Sequence, residues 1–488
     1  MLSWFGPIVP SILLANIGVV LFVIAVVIVP PNRRPSSALA WMILILVLPI
    51  IGLALFALIG SPNLPRARRD KQHAMSGLVA ANTSGVDHMA HDEHTPEWLP
   101  AIALLNRNMG AMPMVDGNTA TLLPHFDDQI AALVAAVDSA RETVLVEFYI
   151  IALDDSTRPF FAALEAAVSR GVTVRVLLDH IGSSGYAGYA PAKRELDRIG
   201  ADWRLMLPVQ PWKGLYQRPD LRNHRKLMVV DSTVGFIGSL NLIEPSYERE
   251  KNRKRGLRWR DLLVEVRGPV VTEIEGVFVT DWYSETDELP TSGHLEAVGS
   301  DGNPDTFMAQ ITPSGPAFES ENNLALFNSL LYAAGHRISI TSPYFVPDES
   351  LLGAILTAAR RGVDVELFVG DIGDQFVVFH AQHSYYRDLL AAGVKIYLHR
   401  APTILHAKHI SVDDDVSVVG SSNMDIRSFQ LDLEVMMLVC GRGFTDALRV
   451  IEDEYRADSK LLTLANWEGR GRFHAIVDNL ARLTSAVQ

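Results

Sequence analysis

The chain has 488 residues, of which 48% are hydrophobic and 20% charged, and its formal net charge is -13 at pH 7. This length can bury more than one core, so we expect two globular domains with additional segments. The acidic balance argues against nucleic-acid binding, which depends on distributed positive charge. The single cysteine, Cys440, excludes an intrachain disulfide framework and fits a reducing compartment, although it is compatible with either side of a membrane.

Two long apolar segments open the chain. Residues 11–29 and 38–59 carry no charge, and each is long enough to cross a hydrocarbon layer about 30 Å thick. The short polar stretch 30–35 between them predicts a transmembrane helical hairpin over residues 1–60. A cleaved signal peptide is the alternative for the first segment, but no basic region precedes it and no small-residue cleavage site follows it.

Basic residues near the predicted spans indicate their orientation. Arg66, Arg68, Arg69 and Lys71 follow the second span, two arginines lie in the turn, and the first ten residues carry no charged side chain. By the positive-inside rule, this pattern places both termini, and the remainder of the chain, on the cytoplasmic side.

Residues 61–100 are polar and lack apolar periodicity, so we predict a linker along the membrane surface. The linker contains a cluster of histidines and carboxylates over residues 88–94. These residue types can bind metals, but their spacing matches no fixed metal site, and a solvated linker is the favoured interpretation.

The remaining chain repeats one order of elements. Apolar spacing predicts a helix, a strand, a second helix and a second strand over about 128–140, 143–149, 159–171 and 172–178. The same order returns over about 323–334, 337–344, 350–362 and 363–369. We therefore predict an α/β protein with an internal duplication, with a first domain over 101–290, a second over 291–488, and a boundary within 287–305.

One motif occurs once in each half. The residues His224, Lys226, Asp231, Gly238, Ser239 and Asn241 are matched, at a constant separation of 182 residues, by His406, Lys408, Asp413, Gly420, Ser421 and Asn423. Side chains alternate along a strand, so the His and Lys of each copy share a face. Imidazole can act as a nucleophile or proton donor near neutral pH, and lysine supplies positive charge for phosphate oxygens. Two facing copies would form an anion site without a metal.

With these residues, the sequence resembles the phospholipase D superfamily, and in particular its bacterial cardiolipin synthase branch. The segments 146–149, 222–226, 259–261 and 423–434 carry the resemblance beyond the two motifs. It implies two tandem phospholipase D-like α/β domains related by a pseudo-twofold axis, and phosphoryl transfer through a phosphohistidine without a cofactor or metal. It also favours His224 as nucleophile and His406 as proton donor, a choice that the symmetry of the two motifs cannot make.

The other motif residues are expected to surround the phosphate and the histidines. The resemblance implies that Asp261 and Glu434 accept hydrogen bonds from the far imidazole nitrogens. The residues expected to hold or surround phosphate oxygens are Lys226, Lys408, Asn241, Asn423, Ser239 and Ser421. Asp231 and Asp413 complete the catalytic motif of the family, but their parity along the strand is opposite to that of the histidines, which predicts a structural role.

The substrate rests on fewer residues. The resemblance implies that two phosphatidylglycerol molecules in the bilayer are joined to cardiolipin with release of glycerol. A basic cluster over residues 249–260 either attracts anionic head groups or is an ordinary solvated loop. A phospholipase D using water, or a transferase using phosphatidylethanolamine or another alcohol, is the alternative. An inactive scaffold is disfavoured because both motifs are intact. The sequence leaves open whether the chain forms a homo-oligomer.

The C-terminal segment 472–487 predicts an amphipathic helix. Its apolar stripe comprises Phe473, Ile476, Val477, Leu480 and Leu483. Packing on its own domain is the favoured interpretation, and a position in the membrane interface is the alternative.

Overall fold

The computed structural model describes residues 35–61, 63–85, 95–290 and 306–483, together with the isolated positions 18, 22, 23 and 29. The chain divides into two compact units, one of residues 1–64 with 218–220 and the other of residues 65–217 with 221–488. Both copies of the motif lie in the second unit.

The first unit contains two helices where the sequence predicts one membrane span. They are α1 (Pro35–Val47) and α2 (Pro49–Ile59). Pro49 lacks an N–H and disfavours a helical conformation at the preceding residue, so Leu48 leaves the helix with ψ 73° and the predicted continuous helix over 38–59 is interrupted. Among the described residues, no helix combines the length and apolarity that a membrane crossing requires. The first predicted span lies almost wholly outside them, and the hairpin stays a prediction.

The second unit begins with a helix that the sequence did not indicate. The predicted irregular linker over 61–100 contains α3 (Arg66–Asn82), so the expectation of an aperiodic segment is wrong there. Arg68 forms a two-bonded ion pair with Glu285, and Lys71 lies 2.7 Å from Asp287. Distant carboxylates, rather than an apolar stripe, hold this helix in place, which is why periodicity missed it. The histidine cluster at 88–94 lies outside the described residues.

The first half of the duplication supplies seven helices and nine strands. Its helices are α4 (Leu99–Gly110), α5 (Phe126–Ser139), α6 (Arg158–Ser169), α7 (His180–Ser184), α8 (Tyr189–Ile199), α9 (Glu250–Lys254) and α10 (Val270–Thr286). Its strands are β1 (Val115–Leu123), β2 (Thr143–Phe148), β3 (Thr173–Asp179), β4 (Asp202–Met206), β5 (Arg222–Asn223), β6 (Lys226–Val230), β7 (Val234–Gly238), β8 (Arg258–Arg260) and β9 (Leu263–Arg267).

The second half is built alike. Its helices are α11 (Asn322–Ala333), α12 (Glu349–Arg360), α13 (Phe376–Ala391), α14 (Ile426–Gln430), α15 (Arg442–Ala457), α16 (Leu464–Glu468) and α17 (Arg472–Arg482). Its strands are β10 (Phe307–Ser314), β11 (Arg337–Thr341), β12 (Phe345–Val346), β13 (Asp364–Gly370), β14 (Lys395–His399), β15 (Thr403–Leu405), β16 (His409–Val412), β17 (Val416–Gly420), β18 (Met424–Asp425), β19 (Asp432–Cys440) and β20 (Ser459–Leu462). The helices and strands predicted from periodicity are confirmed within a few residues.

One sheet runs through both halves. Its order is β20-β14-β13-β11-β16-β17-β19-β10-β1-β9-β7-β6-β2-β3-β4. From the junction of β10 and β1, the order is β10-β19-β17-β16-β11-β13-β14 in the second half and β1-β9-β7-β6-β2-β3-β4 in the first. The strands at each position of the two series correspond, which is the arrangement that two halves related by a twofold axis produce. The predicted α/β class with tandem domains is confirmed. The predicted boundary at 287–305 lies mostly outside the described residues.

Each half has its own apolar core, and the motif strands lie within it. Strand β6 pairs antiparallel with β2, which places Lys226 opposite Phe148, and β16 pairs in the same way with β11. Met228 and Ile410, matched in the two copies, are both fully buried. Core packing therefore fixes the two strands that follow the histidines: Lys226 begins β6, whereas His224, His406 and Lys408 lie just before β6 or β16.

The C-terminal helix α17 packs on α13, as predicted, but through a different face. Ala481 contacts the core, and the Arg482 guanidinium lies 4.6 Å from the centre of the Tyr385 ring. Ile476, Leu480 and Leu483 are instead exposed, with Leu483 at 80%. Packing of this helix on its own domain is therefore confirmed, although these three residues of the predicted apolar stripe are exposed.

Candidate active site

Both motif histidines line one cavity of about 820 Å³. His224 Nδ1 lies 2.9 Å from Glu434 Oε1, and His406 Nδ1 lies 2.6 Å from Asp261 Oδ1. Each carboxylate therefore comes from the opposite half of the chain. With Nδ1 occupied in both rings, Nε2 is the nitrogen left for chemistry in the cavity.

Backbone pairing between the halves explains this exchange. Strand β5 runs parallel to the start of β19, and the His224 backbone N–H donates to Leu433 O at 2.9 Å. Strand β15 pairs with β8 in the same way, and the His406 N–H donates to Arg260 O at 2.8 Å. Each histidine thus sits beside the residue that precedes its carboxylate partner.

The two motif lysines are buried beside the histidines. Lys226 Nζ donates to the His224 carbonyl, and Lys408 Nζ donates to the His406 carbonyl at 2.6 Å. Because burial disfavours the charged form, it lowers the pKa of Lys226 to about 7 and that of Lys408 to about 8. An anion in the cavity would favour the charged forms again.

The two imidazole–carboxylate pairs differ electrostatically. Burial and the neighbouring lysine charges lower the pKa of His224 well below its ordinary value, and burial raises the pKa of Glu434 to about 7. Burial and Lys408 also lower the pKa of His406. Burial alone would raise the pKa of Asp261, but the nearby His406 and Lys408 outweigh it and the net shift is downward. The Asp261 carboxylate therefore stays ionised more readily than Glu434.

The serines of the two Gly-Ser-x-Asn segments hold the carboxylates. Ser239 Oγ donates to Asp261 Oδ1 at 2.7 Å, and Ser421 Oγ donates to Glu434. Gly238, which precedes Ser239, lies so close to the segment that carries Asp261 that a Cβ there would be 2.2 Å from the Leu262 carbonyl oxygen. A glycine is therefore needed for Ser239 to reach Asp261. Both serines therefore contact the carboxylates that pair with the histidines, and their predicted place around a phosphate stays a prediction.

The two motif asparagines line the cavity. Asn241 Nδ2 donates to the Tyr247 hydroxyl at 2.8 Å, and Asn423 Nδ2 lies 3.3 Å from Ser428 Oγ. Each amide nitrogen carries a second hydrogen, which is available to a phosphate oxygen.

The motif aspartates lie at the far ends of their strands and anchor turns. Asp231, at φ 49°, accepts three backbone N–H bonds from residues 141–143, and Asp413, also at φ 49°, accepts three from residues 335–337. Although both belong to the family's catalytic motif, these contacts are structural, in line with the parity of the two residues.

The basic cluster divides between two environments. Arg249, Lys251 and Arg255 line the cavity that holds the histidines. Arg253 instead pairs with Glu244 at 2.6 Å, and Arg260 pairs with Glu454 and stacks on an aromatic ring. Only part of the cluster therefore adds positive charge to the cavity.

Several cavity residues were not predicted as site residues. The Tyr149 ring contacts His224 edge-on at 4.9 Å, Tyr247 approaches His406 at 6.4 Å, and Arg427 and Asp432 form a pair at 3.2 Å. Tyr149 and Arg427 belong to segments that carry the family resemblance, which was the available signal. Tyr247 had none, because only the fold brings its loop to the cavity.

Comparison with known proteins decides the family. The family profile described as "Cardiolipin synthase, PLD-like domain" matches residues 133–282 and 327–455, and the "Phospholipase D-nuclease N-terminal" profile matches residues 18–61. Cardiolipin synthase A of Yersinia pseudotuberculosis serotype IB (strain PB1/+) is 32% identical over 459 residues, covering 92% of both chains. The chain belongs to the cardiolipin synthase family. Cardiolipin synthase A of Yersinia pestis is also 32% identical over 92% of both chains.

The fold of this cardiolipin synthase family member extends to more distant proteins. The crystal structure of phosphatidylserine synthase from Haemophilus influenzae Rd KW20 matches with a TM-score of 0.56 at 14% identity, covering 81% of this chain and 100% of the other. At this identity the likeness supports the fold alone. Family membership and the duplicated His/Lys site together make the protein an enzyme of the phosphatidyltransferase type.

Proposed function

We propose that the protein is a membrane-bound cardiolipin synthase that transfers a phosphatidyl group from one phosphatidylglycerol to another and releases glycerol. The observation that carries this proposal is the pair of imidazoles lining one cavity, each with Nδ1 bonded to a carboxylate of the other half. Two imidazoles in one cavity support the assignment of one as nucleophile and the other as proton donor to the same phosphorus atom.

In the first step, the Nε2 lone pair of His224 attacks the phosphorus of the donor lipid. A P–N bond forms, the P–O bond to glycerol breaks, and His406 Nε2–H gives its proton to the departing oxygen. Lys226 and Lys408 stabilise the charge that accumulates on the non-bridging oxygens, because they are fixed in a dry site before the reaction begins.

In the second step, His406 takes the proton from a hydroxyl of the acceptor head group. The resulting oxygen attacks phosphorus, the P–N bond breaks, and the electron pair returns to His224. Two phosphatidylglycerol molecules thereby give one cardiolipin and one glycerol, and both histidines end as they began.

The electrostatics of the two pairs favour this assignment of roles. The strongly lowered pKa of His224 keeps its imidazole neutral, which a nucleophile requires. Burial and Lys408 lower the pKa of His406 as well, but the ionised Asp261 carboxylate 2.6 Å away opposes this shift and so favours the protonated imidazole that a general acid requires.

The acceptor is an anionic lipid in this proposal. Arg249, Lys251 and Arg255 line the cavity that holds the histidines and would attract an anionic head group there. We further propose a multi-pass location in the bacterial plasma membrane, with the catalytic domains on the cytoplasmic side, as the charges near the apolar N-terminal segments favour.

The test is incubation of the purified protein with phosphatidylglycerol alone, with cardiolipin and free glycerol measured together. We expect equal amounts of both products, loss of at least a thousandfold in rate for His224→Ala and His406→Ala, and no loss for His73→Ala, an exposed histidine outside the cavity. Mass spectrometry of the rapidly quenched enzyme should find the phosphatidyl group on His224.

Other products would change the assignment. Phosphatidic acid as the sole product would make the enzyme a phospholipase D that uses water, and cardiolipin formed only after phosphatidylethanolamine is added would change the donor or acceptor. Full activity in either histidine variant would overturn the two-step mechanism.

A further inference from the structure

A second group of histidines lies outside the catalytic cavity, where helix α13 meets the C-terminal helix α17. His380 and His383 lie one turn apart on α13, and the carboxylate of Asp478 on α17 faces both. The possible ligand atoms of the three residues all lie within 4.8 Å of one another.

The Asp478 carboxylate faces two imidazoles but forms a hydrogen bond with only one of them. His380 Nδ1 lies 2.7 Å from Asp478 Oδ1, and His383 Nδ1 lies 3.8 Å from the same oxygen. The second imidazole therefore turns its nitrogen to this carboxylate without reaching hydrogen-bond distance. Ligand atoms on a tetrahedral zinc ion are about 3.4 Å apart, given metal–ligand bonds of about 2.0–2.1 Å. The distances of His380 Nδ1 and His383 Nδ1 from Asp478 Oδ1, 2.7 and 3.8 Å, lie on either side of that value, so small side-chain movements would bring all three atoms to an ion.

The surroundings have the features of a metal site. Asp478 is 2% exposed, and its other oxygen, Oδ2, accepts from Arg470 Nη2 at 3.0 Å, which orients the carboxylate from outside. The rings of Phe379 and Trp467 pack against His383 and limit water access.

We propose that His380, His383 and Asp478 bind a divalent transition-metal ion, with zinc as the ion that two imidazoles and one carboxylate match best. The ion would fasten α17 to α13. Either a water molecule or His474, which precedes Asp478 by one helical turn, would be the fourth ligand. Because Val377 and Val378 in the first turn of α13 line the catalytic cavity, the ion would also hold that wall in place.

The test uses the full-length protein without a histidine tag, stripped with chelator and titrated with Co²⁺ and with Zn²⁺. We expect one ion per chain, the visible absorption of a tetrahedral cobalt site, and a higher Tm in the presence of Zn²⁺. His383→Ala and Asp478→Asn should each weaken binding at least tenfold and abolish the Tm shift. If Asp478→Asn fails to fold, His380→Ala and His383→Ala decide the result.

Three controls separate this site from other histidines. His406→Ala removes a catalytic histidine, a triple alanine variant removes His88, His91 and His94, and His73→Ala removes an exposed one. All three should bind metal as the unaltered protein does. The proposal is overturned if the unaltered protein binds no ion, if the α13 and α17 variants bind equally well, or if only a control variant loses binding.

Discussion

At the scale of single residues, the site contains two buried lysines whose positive charge burial disfavours. Lys226 and Lys408 are at most 1% exposed, and each is held by the carbonyl of the histidine two residues earlier. Their pKa values, about 7 and about 8, place the loss of positive charge close to neutral pH in the free enzyme. A bound phosphodiester brings a negative charge that favours the protonated lysines. The substrate therefore completes the charge balance of its own site.

This balance predicts an unusual pH dependence. As pH rises through about 7 and about 8, the free enzyme loses the lysine charges, so kcat/KM for phosphatidylglycerol should fall on the alkaline side. The fall in kcat should come at higher pH, because bound lipid raises both pKa values. Lys408→Arg keeps its charge and should remove the part of the fall near pH 8 while leaving the part near pH 7, which belongs to Lys226, even at a lower absolute rate. A flat kcat/KM profile above pH 8 in the unaltered enzyme would contradict this.

At the scale of elements, the short helix α9 separates side chains that look equivalent in the sequence. Lys251 and Lys254 lie three residues apart in the same basic run. Lys251 lines the catalytic cavity, whereas Lys254 lies 3.4 Å from Glu250 on the exposed surface. Lys254 therefore fits the interpretation as a solvated loop, whereas attraction of anionic head groups by Lys251 stays a prediction.

The two lysines form a matched pair for experiment. Lys251→Gln should raise KM for phosphatidylglycerol about fivefold, corresponding to about 1 kcal/mol for a basic residue near anionic lipid, and should weaken the dependence of KM on salt. Lys254→Gln, with the same charge change, should leave KM within about twofold because its ion pair is exposed. Kinetics on mixed vesicles at several salt concentrations measure both effects. Equal effects of the two substitutions would show that only the net charge of the loop matters.

At the scale of the whole molecule, the two halves share both a sheet and a site. Strand β10 of the second half pairs with β1 of the first, with Val115 opposite Ala309. Each histidine depends on the opposite half for its carboxylate and for a backbone hydrogen bond. Neither half contains a complete imidazole–carboxylate pair, so activity requires both.

This sharing predicts cooperative unfolding of the two halves. Leu438 is fully buried in β19, and Leu438→Ala should cost about 2–5 kcal/mol. Because the sheet is continuous, the two halves should unfold in a single transition with a lower Tm. Cardiolipin synthesis should be lost at the same temperature. Calorimetry of the detergent-solubilised protein measures the Tm, and assays of cardiolipin synthesis at increasing temperature measure the loss of activity. A new early transition, with the first half melting at its original temperature, would show that the halves fold independently.

The sequence determined the duplication, the α/β class and the candidate catalytic residues, because strand and helix periods and a motif at constant separation are local properties of the chain. Opposite parity along a strand likewise indicated a structural role for Asp231 and Asp413. The sequence did not indicate helix α3, whose ion pairs join it to residues more than 200 positions later. It also predicted one continuous helix over 38–59, where the structure has two helices separated at Pro49.

Only the tertiary structure decided which carboxylate serves which histidine. Asp261 follows His224 and Glu434 follows His406 in the chain, yet each bonds to the other histidine, because β5 pairs with β19 and β15 with β8. The same folding divided the basic cluster, brought Tyr247 to the cavity, and turned His380 and His383 toward Asp478. Such contacts depend on how distant segments pack, and no local pattern of residues encodes that packing.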